Sequence, residues 1–364
     1  FPPSSPPPKF STRWFPMPAS SPDRPYATPD DHRECRAAIR VGSRSFFAAS
    51  RLLPAHVRRP AFALYAFCRL SDDIVDLEGG STPALARLSH RLQRAHRGQP
   101  LPAAADRALA ETLRAHAIPL EVPEALLEGL GWDAAGRRYP TLEDLETYAA
   151  RVAGTVGVMM TLIMGVRDSH ALARACDLGT AMQLTNIARD VGEDARAGRI
   201  YLPLSWLDEA GVDVAGFLAD PTPTPAVRLV VARLLGEARR RYEEARAGIA
   251  ELPRACRPAI LAAATIYAEI GREVAASGFD SITRRARVSG ARKLSLLAHA
   301  VAAAPLISRS EAAPASPANA FLVEAVAAHP LRPHVRPRGL SALAAPFVRT
   351  LDLFERLERA EILD

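Results

Sequence analysis

From Asp30 to about Pro305 the apolar residues recur at spacings of three and four, and no run of useful length alternates in twos. That pattern limits the chain to packed helices, because without strands there is no sheet to build on. Composition agrees: aromatic residues are only 6% of the chain, and the abundant Ala, Leu and Arg favour helix over strand. With 364 residues, 48% of them hydrophobic, there is apolar surface for one large core or two small ones. No segment repeats at a fixed period. The expectation is an all-α, single-domain helical bundle over residues 30–305.

The flanks read differently. Residues 1–29 hold ten of the 31 prolines and are expected to be a disordered Pro/Ser-rich tail. After Pro305 the composition turns to SRSEAAPASPANA and HPLRPHVRPRG. Residues 306–364 therefore read as a C-terminal extension of unknown role, with one amphipathic helix near 347–362. Within the domain, Asp30 or Asp31 is expected to cap a helix through Ser50, and Pro54 opens a second that Gly79-Gly80 ends. Helices are expected at about 82–97, 103–117 and 122–132. Thr141 and Asp144 resemble a capping box opening a long helix to Gly165. Asp168 or Ser169 caps another to about Ala197. A proline-punctuated surface connection spans 203–225, and helices follow at 225–250, 256–278 and 290–304.

Several classes of function drop out. Cys35, Cys68, Cys176 and Cys256 lie far apart with no CxxC, as expected of reduced packing thiols in the cytosol. The nine histidines lack metal-ligand spacing, which argues against zinc. The longest near-apolar run, 152–166, falls short of the ~20 residues of a membrane-spanning helix. The first residues lack the compact apolar run of a secretory signal. The formal charge of +6 suits phosphorylated ligands or an acidic membrane surface. The basic cluster Arg284, Arg285, Arg287, Arg292 and Lys293 reads as surface, facing solvent or anionic lipid; without interleaved aromatics it gives no reason to expect nucleic acid. The expected location is cytoplasmic, with peripheral attachment at the inner membrane surface.

Two acidic patches remain to be explained. On a helix, positions i, i+4, i+7 and i+11 share one stripe. Tyr65, Arg69, Asp72 and Asp76 fall on such a stripe, and Asp73 points away from it. A second helix carries Gln183, then Asn186 or Ile187, then Asp190 and Asp194 in the same manner, with Arg189 alongside. Carboxylates at i, i+4 repel by about 0.2–0.5 kcal/mol unless a cation lies between them. A single DxxxD is usually a solvated face; two, each on a mainly apolar background and each beside an arginine, are not.

Carboxylate and amide oxygens are hard ligands that suit Mg²⁺ or Mn²⁺, and Mg²⁺ completes its shell with water and substrate phosphates. Two facing patches can therefore grip a diphosphate and ease its departure as an anion. The rest of such a site must be apolar, so that water does not capture a carbocation. The run VAGTVGVMMTLIMGV offers a wall through Val156, Met159, Met160 and Ile163, with Gly154, Gly157 and Gly165 leaving room for a long chain. A plain core helix is the alternative reading of the same run.

The segments SRSFFAASRLLP, ALYAFCRLSDDIVD, YAARVAGTVGVMM, CDLGTAMQLTNIARDVGEDARAGRIYLPLSWL and IYAEIG together resemble the squalene/phytoene synthase family, and within it the bacterial phytoene-forming branch. The resemblance covers about residues 32–305. It implies an isoprenoid synthase bundle with a central active-site cavity, and head-to-head condensation of two prenyl diphosphates through a cyclopropylcarbinyl diphosphate. It further implies that Asp72 and Asp76 hold Mg²⁺ at one diphosphate and Asn186, Asp190 and Asp194 at the other. Arg69, Arg189 and Arg199 would contact diphosphate oxygens, with Gln183 beside the second patch. Ser43, Arg44 and Ser45 match a diphosphate-binding segment in which some members carry Lys in place of Arg44. Tyr65, Tyr148 and Tyr267 match tyrosines near the reacting carbons, where they support the cation or assist proton removal. Cys68, Cys176 and Arg196 read as packing or solvated residues.

The implied reaction is a prenyltransferase step of carotenoid biosynthesis: two geranylgeranyl diphosphates give phytoene, with no NADPH. The rival within the family makes squalene, dehydrosqualene or presqualene diphosphate from farnesyl diphosphate, squalene requiring NADPH. A non-catalytic scaffold would be expected to have lost aspartates that are all present here. Peripheral membrane contact and contact with other carotenoid-pathway enzymes are the expected associations.

Overall fold

The structure, a computed structural model, describes residues 25–77, 82–309 and 314–330, and the side chains of 76 and 77 fall outside that description. The expected tail over 1–24, the Gly79-Gly80 stop and the 347–362 helix lie outside the described residues. Among the described residues there are helices and no strands.

Thr28, not Asp30 or Asp31, starts the first helix. Its hydroxyl accepts from the Asp31 amide while the Asp31 carboxylate accepts from the Thr28 amide, a complete capping box. α1 (Pro29–Gly42) stops well before Ser50. Ser43 is extended, and its hydroxyl accepts from the Phe46 amide to cap a separate α2 (Arg44–Ser50). At the break Gly42 lies against the Tyr65 hydroxyl, so a Cβ there would require that side chain to move.

α3 (Ala55–Leu77) carries the first acidic patch. α4 (Thr82–His96), α5 (Ala104–Ala115) and α6 (Glu121–Ala134) fall where the periodicity puts them. The Thr141–Asp144 capping box opens α7 (Leu142–Ala149) as expected. The single long helix expected to Gly165 is instead broken by a π-helical turn at Ala150–Gly154 before α8 (Thr155–Ile163). Gly157 lines the cavity, as expected, and has a second reason in packing. A Cβ on Gly157 would strike the Ala175 carbonyl, and one on Gly179 the Ala153 carbonyl, so both exist to bring two helix backbones together. Gly165 has φ +82° and turns the chain after α8.

α9 (Ser169–Arg196), capped by Asp168, is the axis of the bundle and buries residues in both large cores. The expected surface connection over 203–225 contains α10 (Leu204–Glu209) and α11 (Val214–Ala219), which bury Trp206, Leu207 and Phe217. Each is too short for a period of 3.6 to show. α12 (Pro225–Ile249), α13 (Arg257–Ala276) and α14 (Gly290–Ala303) follow as expected. Packing then continues past 305: α15 (Ala320–Ala327) buries Leu322 and Val326 in the core and rests on α6 and α9. No helix among the described residues is long and apolar enough to cross a membrane. The four cysteines are free thiols, three buried and Cys68 half-buried.

Candidate active site

Helices α2, α3, α8, α9, α12 and α13 enclose a cavity of about 340 Å³. α3 faces it with Ala61, Leu64, Tyr65, Cys68 and Asp72, a three-four spacing that makes the end of an apolar stripe acidic. α9 faces it over four turns, from Ala171 to Gln183 and Asn186. The polar groups Asp72, Gln183, Asn186, Tyr65 and Tyr267 thus share one lining with a mostly aliphatic wall. Val156 and Met160 of α8 line it as expected, whereas Met159 and Ile163 point into the core behind.

The second patch begins one turn beyond Asn186. Asp190 is held by two guanidinium groups at once. Arg189 donates to it from Nε (2.7 Å) and Nη2 (2.5 Å), and Arg285 from Nε (2.8 Å) and Nη2 (2.9 Å). Burial works to raise the Asp190 pKa, but these bonds outweigh it and hold the carboxyl below its usual range. Arg285 also reaches Glu193 at 3.3 Å. Asp194 is the opposite case: burial, then the charges of Asp190 and Asp133, push it up to about 7 against the pull of Arg199. Behind it, Asp133 accepts from the hydroxyls of Tyr148 (2.7 Å) and Tyr201 (2.8 Å), and these rings stack with Tyr139.

Tyr148 therefore does not sit where the resemblance implied. It is buried in the second core behind Asp194 and absent from the cavity lining, because its hydroxyl is committed to Asp133. Tyr65 and Tyr267 do line the cavity. Burial raises both phenols, Tyr267 up to about 12, and Tyr267 stacks on Phe46 at 4.9 Å and hydrogen-bonds the Ser43 side chain.

In the first patch, Asp72 lines the cavity and Arg69 pairs with Asp73 at 2.6 Å. Asp73 leaves the cavity stripe, as expected, but it takes Arg69 with it. Asp76 lies on α3, its side chain outside the described residues. Ser45 is half-buried on α2 and Arg44 is exposed; burial, and then the nearby charge of Arg44, lower the Lys293 pKa. Arg196 is exposed, as expected, and donates to the Ile282 carbonyl at 2.5 Å. Arg285 is exposed, as expected of the basic cluster, but sequence reasoning missed its partner. It lies 95 residues from Asp190, and its only visible feature was membership of a basic run.

The donor set fits a hard divalent cation. Asn186 Oδ1 is buried without a hydrogen-bond partner at the cavity wall, and Asp194 sits among negative charges that a cation would relieve. Among the described residues no three acidic, histidine or cysteine side chains converge on one point.

The squalene/phytoene synthase family model matches residues 39–292. The chain is 52% identical to a phytoene synthase of Rhodobacter capsulatus, over 86% of this chain and 96% of that one. It is 50% identical to a phytoene synthase of Cereibacter sphaeroides, over 80% and 87%. Among solved structures it is similar to a dehydrosqualene synthase in complex with ligand, with TM-score 0.69 and 31% identity, covering 75% of this chain and 96% of that one. A squalene synthase from Alicyclobacillus acidocaldarius follows with TM-score 0.62 and 26% identity, over 69% and 95%. The all-α architecture, the cavity and these matches agree: the chain belongs to the squalene/phytoene synthase family.

Proposed function

We propose that the chain is a prenyltransferase that joins two geranylgeranyl diphosphates head to head to form phytoene in carotenoid biosynthesis, with Mg²⁺ or Mn²⁺ and without NADPH. The observation that carries this reading is the cavity itself, an aliphatic tube whose lining ends in Asp72, Gln183 and Asn186 with the Asp190 patch one turn further on α9. The activity named for the relatives at 52% and 50% identity supports the C20 substrate. The C15 alternative rests on the 31% identical dehydrosqualene synthase.

Asp72 and Asp76 would hold metal at one diphosphate, and Asn186, Asp190 and Asp194 at the other. When bound, the metal neutralises charge on the departing diphosphate. Arg189 and Arg285 already cover Asp190 with hydrogen bonds. A diphosphate arriving with its cation offers anions to both arginines and a cation to Asp190, so the clamp opens without stranding a charge. Arg199 near Asp194, Arg44 with the Ser43 cap of α2, and Arg69 on release from Asp73 would take further phosphate oxygens. Tyr65 and Tyr267 keep their protons at neutral pH, so they present ring faces and hydroxyls rather than phenolates. Their role is support of the carbocation. The aliphatic wall excludes water from it.

The test is incubation of the purified protein with Mg²⁺ and labelled geranylgeranyl or farnesyl diphosphate, with and without NADPH, and identification of the hydrocarbon. Phytoene from the C20 substrate without NADPH is expected; product from the C15 substrate alone contradicts it. Peripheral attachment to the inner membrane surface, and contact with other carotenoid-pathway enzymes, suit an apolar product released from a chain with no spanning helix among its described residues. Sedimentation with anionic vesicles checks the first.

A further inference from the structure

One charged residue in the cavity lining has no place in the diphosphate chemistry. Arg174 faces the cavity from α9, twelve residues before Asn186, which at about 1.5 Å rise per residue puts it about 18 Å away along the helix. Its backbone end is pinned, since Gly248 of α12 lies where any Cβ would strike the Arg174 Cβ. Its guanidinium is spent elsewhere: Nε pairs with Asp177 at 3.1 Å and Nη2 donates to the Pro314 carbonyl at 3.0 Å. Asp177 is fully buried and accepts from Asn319 at 2.9 Å. The segment leading into α15 thus latches Arg174 in place, and only its stem is left to close the cavity.

We propose that α9 is the chain-length ruler of this site and that Arg174, held by Asp177 and the 314–319 segment, is its floor. The inference rests on the prenyl-diphosphate reading above and adds the basis of its chain-length choice. An extended isoprene unit advances about 5 Å, from four zigzag bonds of about 1.5 Å. Three units from Asn186 reach about 15 Å and four about 20 Å, by the same arithmetic. Ala175, eleven residues back, lies at about 16.5 Å and Leu178, eight back, at about 12 Å. Both line the cavity and are half-buried. A C15 chain ends short of Ala175, while the fourth unit of a C20 chain passes it and, about 2 Å short of full extension, meets Arg174.

The experiment compares kcat/KM for geranylgeranyl and farnesyl diphosphates in one preparation of each variant, so that partial misfolding cancels in the ratio. Ala175→Leu is expected to lower the C20:C15 ratio at least 10-fold. Leu178→Phe is expected to impair both substrates. The pair Arg174→Ala with Asp177→Asn, which removes the floor without stranding the buried carboxylate, is expected to raise use of a C25 diphosphate relative to C20 about 10-fold. An unchanged ratio in Ala175→Leu, in an enzyme that accepts C20, overturns the ruler alone. An unmodified protein that accepts only C15 overturns both the ruler and the C20 assignment, and is seen before any variant is made.

Discussion

On α3, Arg69 and Asp73 pair at 2.6 Å with about half of each side chain in water, 53% and 43% exposed. On α9, Asp190 accepts from two bidentate guanidiniums, Arg189 and Arg285, with its side chain 17% exposed. Both patches begin as aspartates one helical turn apart. An exposed pair of the first kind contributes about 0–1 kcal/mol, whereas removing one member of a buried pair costs about 3–5 kcal/mol because a charge is left stranded. The first patch is a loose rim that substrate can rearrange. The second is a charge balance set in advance, with Asp190 oversupplied with cations and Asp194 left short of them.

The sharpest way to break the contrast is Asp190→Ala. Turnover is expected to fall by about 10²–10³-fold or more, and the ligand-free melting temperature to drop because Arg189 and Arg285 lose their shared partner. A variant that stays fully active would make the second patch a surface feature like the first. Asp194→Asn should separate function from stability: turnover falls by about 100-fold, yet the ligand-free protein is stabilised at pH 8. The sign follows from a carboxyl raised from 3.8 to about 7 in the fold. Its native state binds the proton more tightly than the unfolded chain, so stability is full below 3.8 and declines as pH rises through about 7. Denaturation without divalent ions should show a gain on the order of 1 kcal/mol at pH 8, a smaller gain at pH 5 and none below about pH 3.8. A destabilised Asn variant at pH 8 would mean the site is not short of cations.

Arg285→Gln is expected to raise KM about 10-fold through a lost phosphate contact. The same change should tighten Mn²⁺ binding in the absence of diphosphate, read by electron paramagnetic resonance, because one of the cations competing for Asp190 is gone. Weaker Mn²⁺ binding would place Arg285 outside the metal site. Asp73→Asn closes the series: it should change turnover by less than about 3-fold and stability by less than about 1 kcal/mol. A large loss there would make the two patches equivalent after all.

What could be read from the residues in order was whatever depends on one helix at a time. The helix content, the Thr141–Asp144 box, the Asp168 cap and the stripes through Asp72 and Asn186 are all local, and period and spacing reveal them. What depends on two helices meeting was hidden. Gly157 reads as room for substrate and does line the cavity, but its close approach to the Ala175 backbone is invisible in the sequence. Tyr148 matches a catalytic position until Asp133, fifteen residues away, takes its hydroxyl. Arg285 reads as surface charge and is exposed, but nothing local pairs it with Asp190, nor Arg174 with the Pro314 carbonyl. The short α10, α11 and α15 carry too few residues for a period to emerge, although Trp206 and Leu322 are as buried as any core residue.

The central claim is that both patches hold metal around diphosphates at the mouth of one prenyl cavity. The most direct measurement is a crystal structure with Mn²⁺ and an unreactive thio analogue of geranylgeranyl diphosphate, with manganese located by anomalous scattering. Manganese beside Asp72 and beside Asn186–Asp190, with Arg285 turned from Asp190 to a phosphate oxygen, is the expected result. A bound analogue with no manganese at Asp190, and Arg189 and Arg285 still closed on it, would contradict the account.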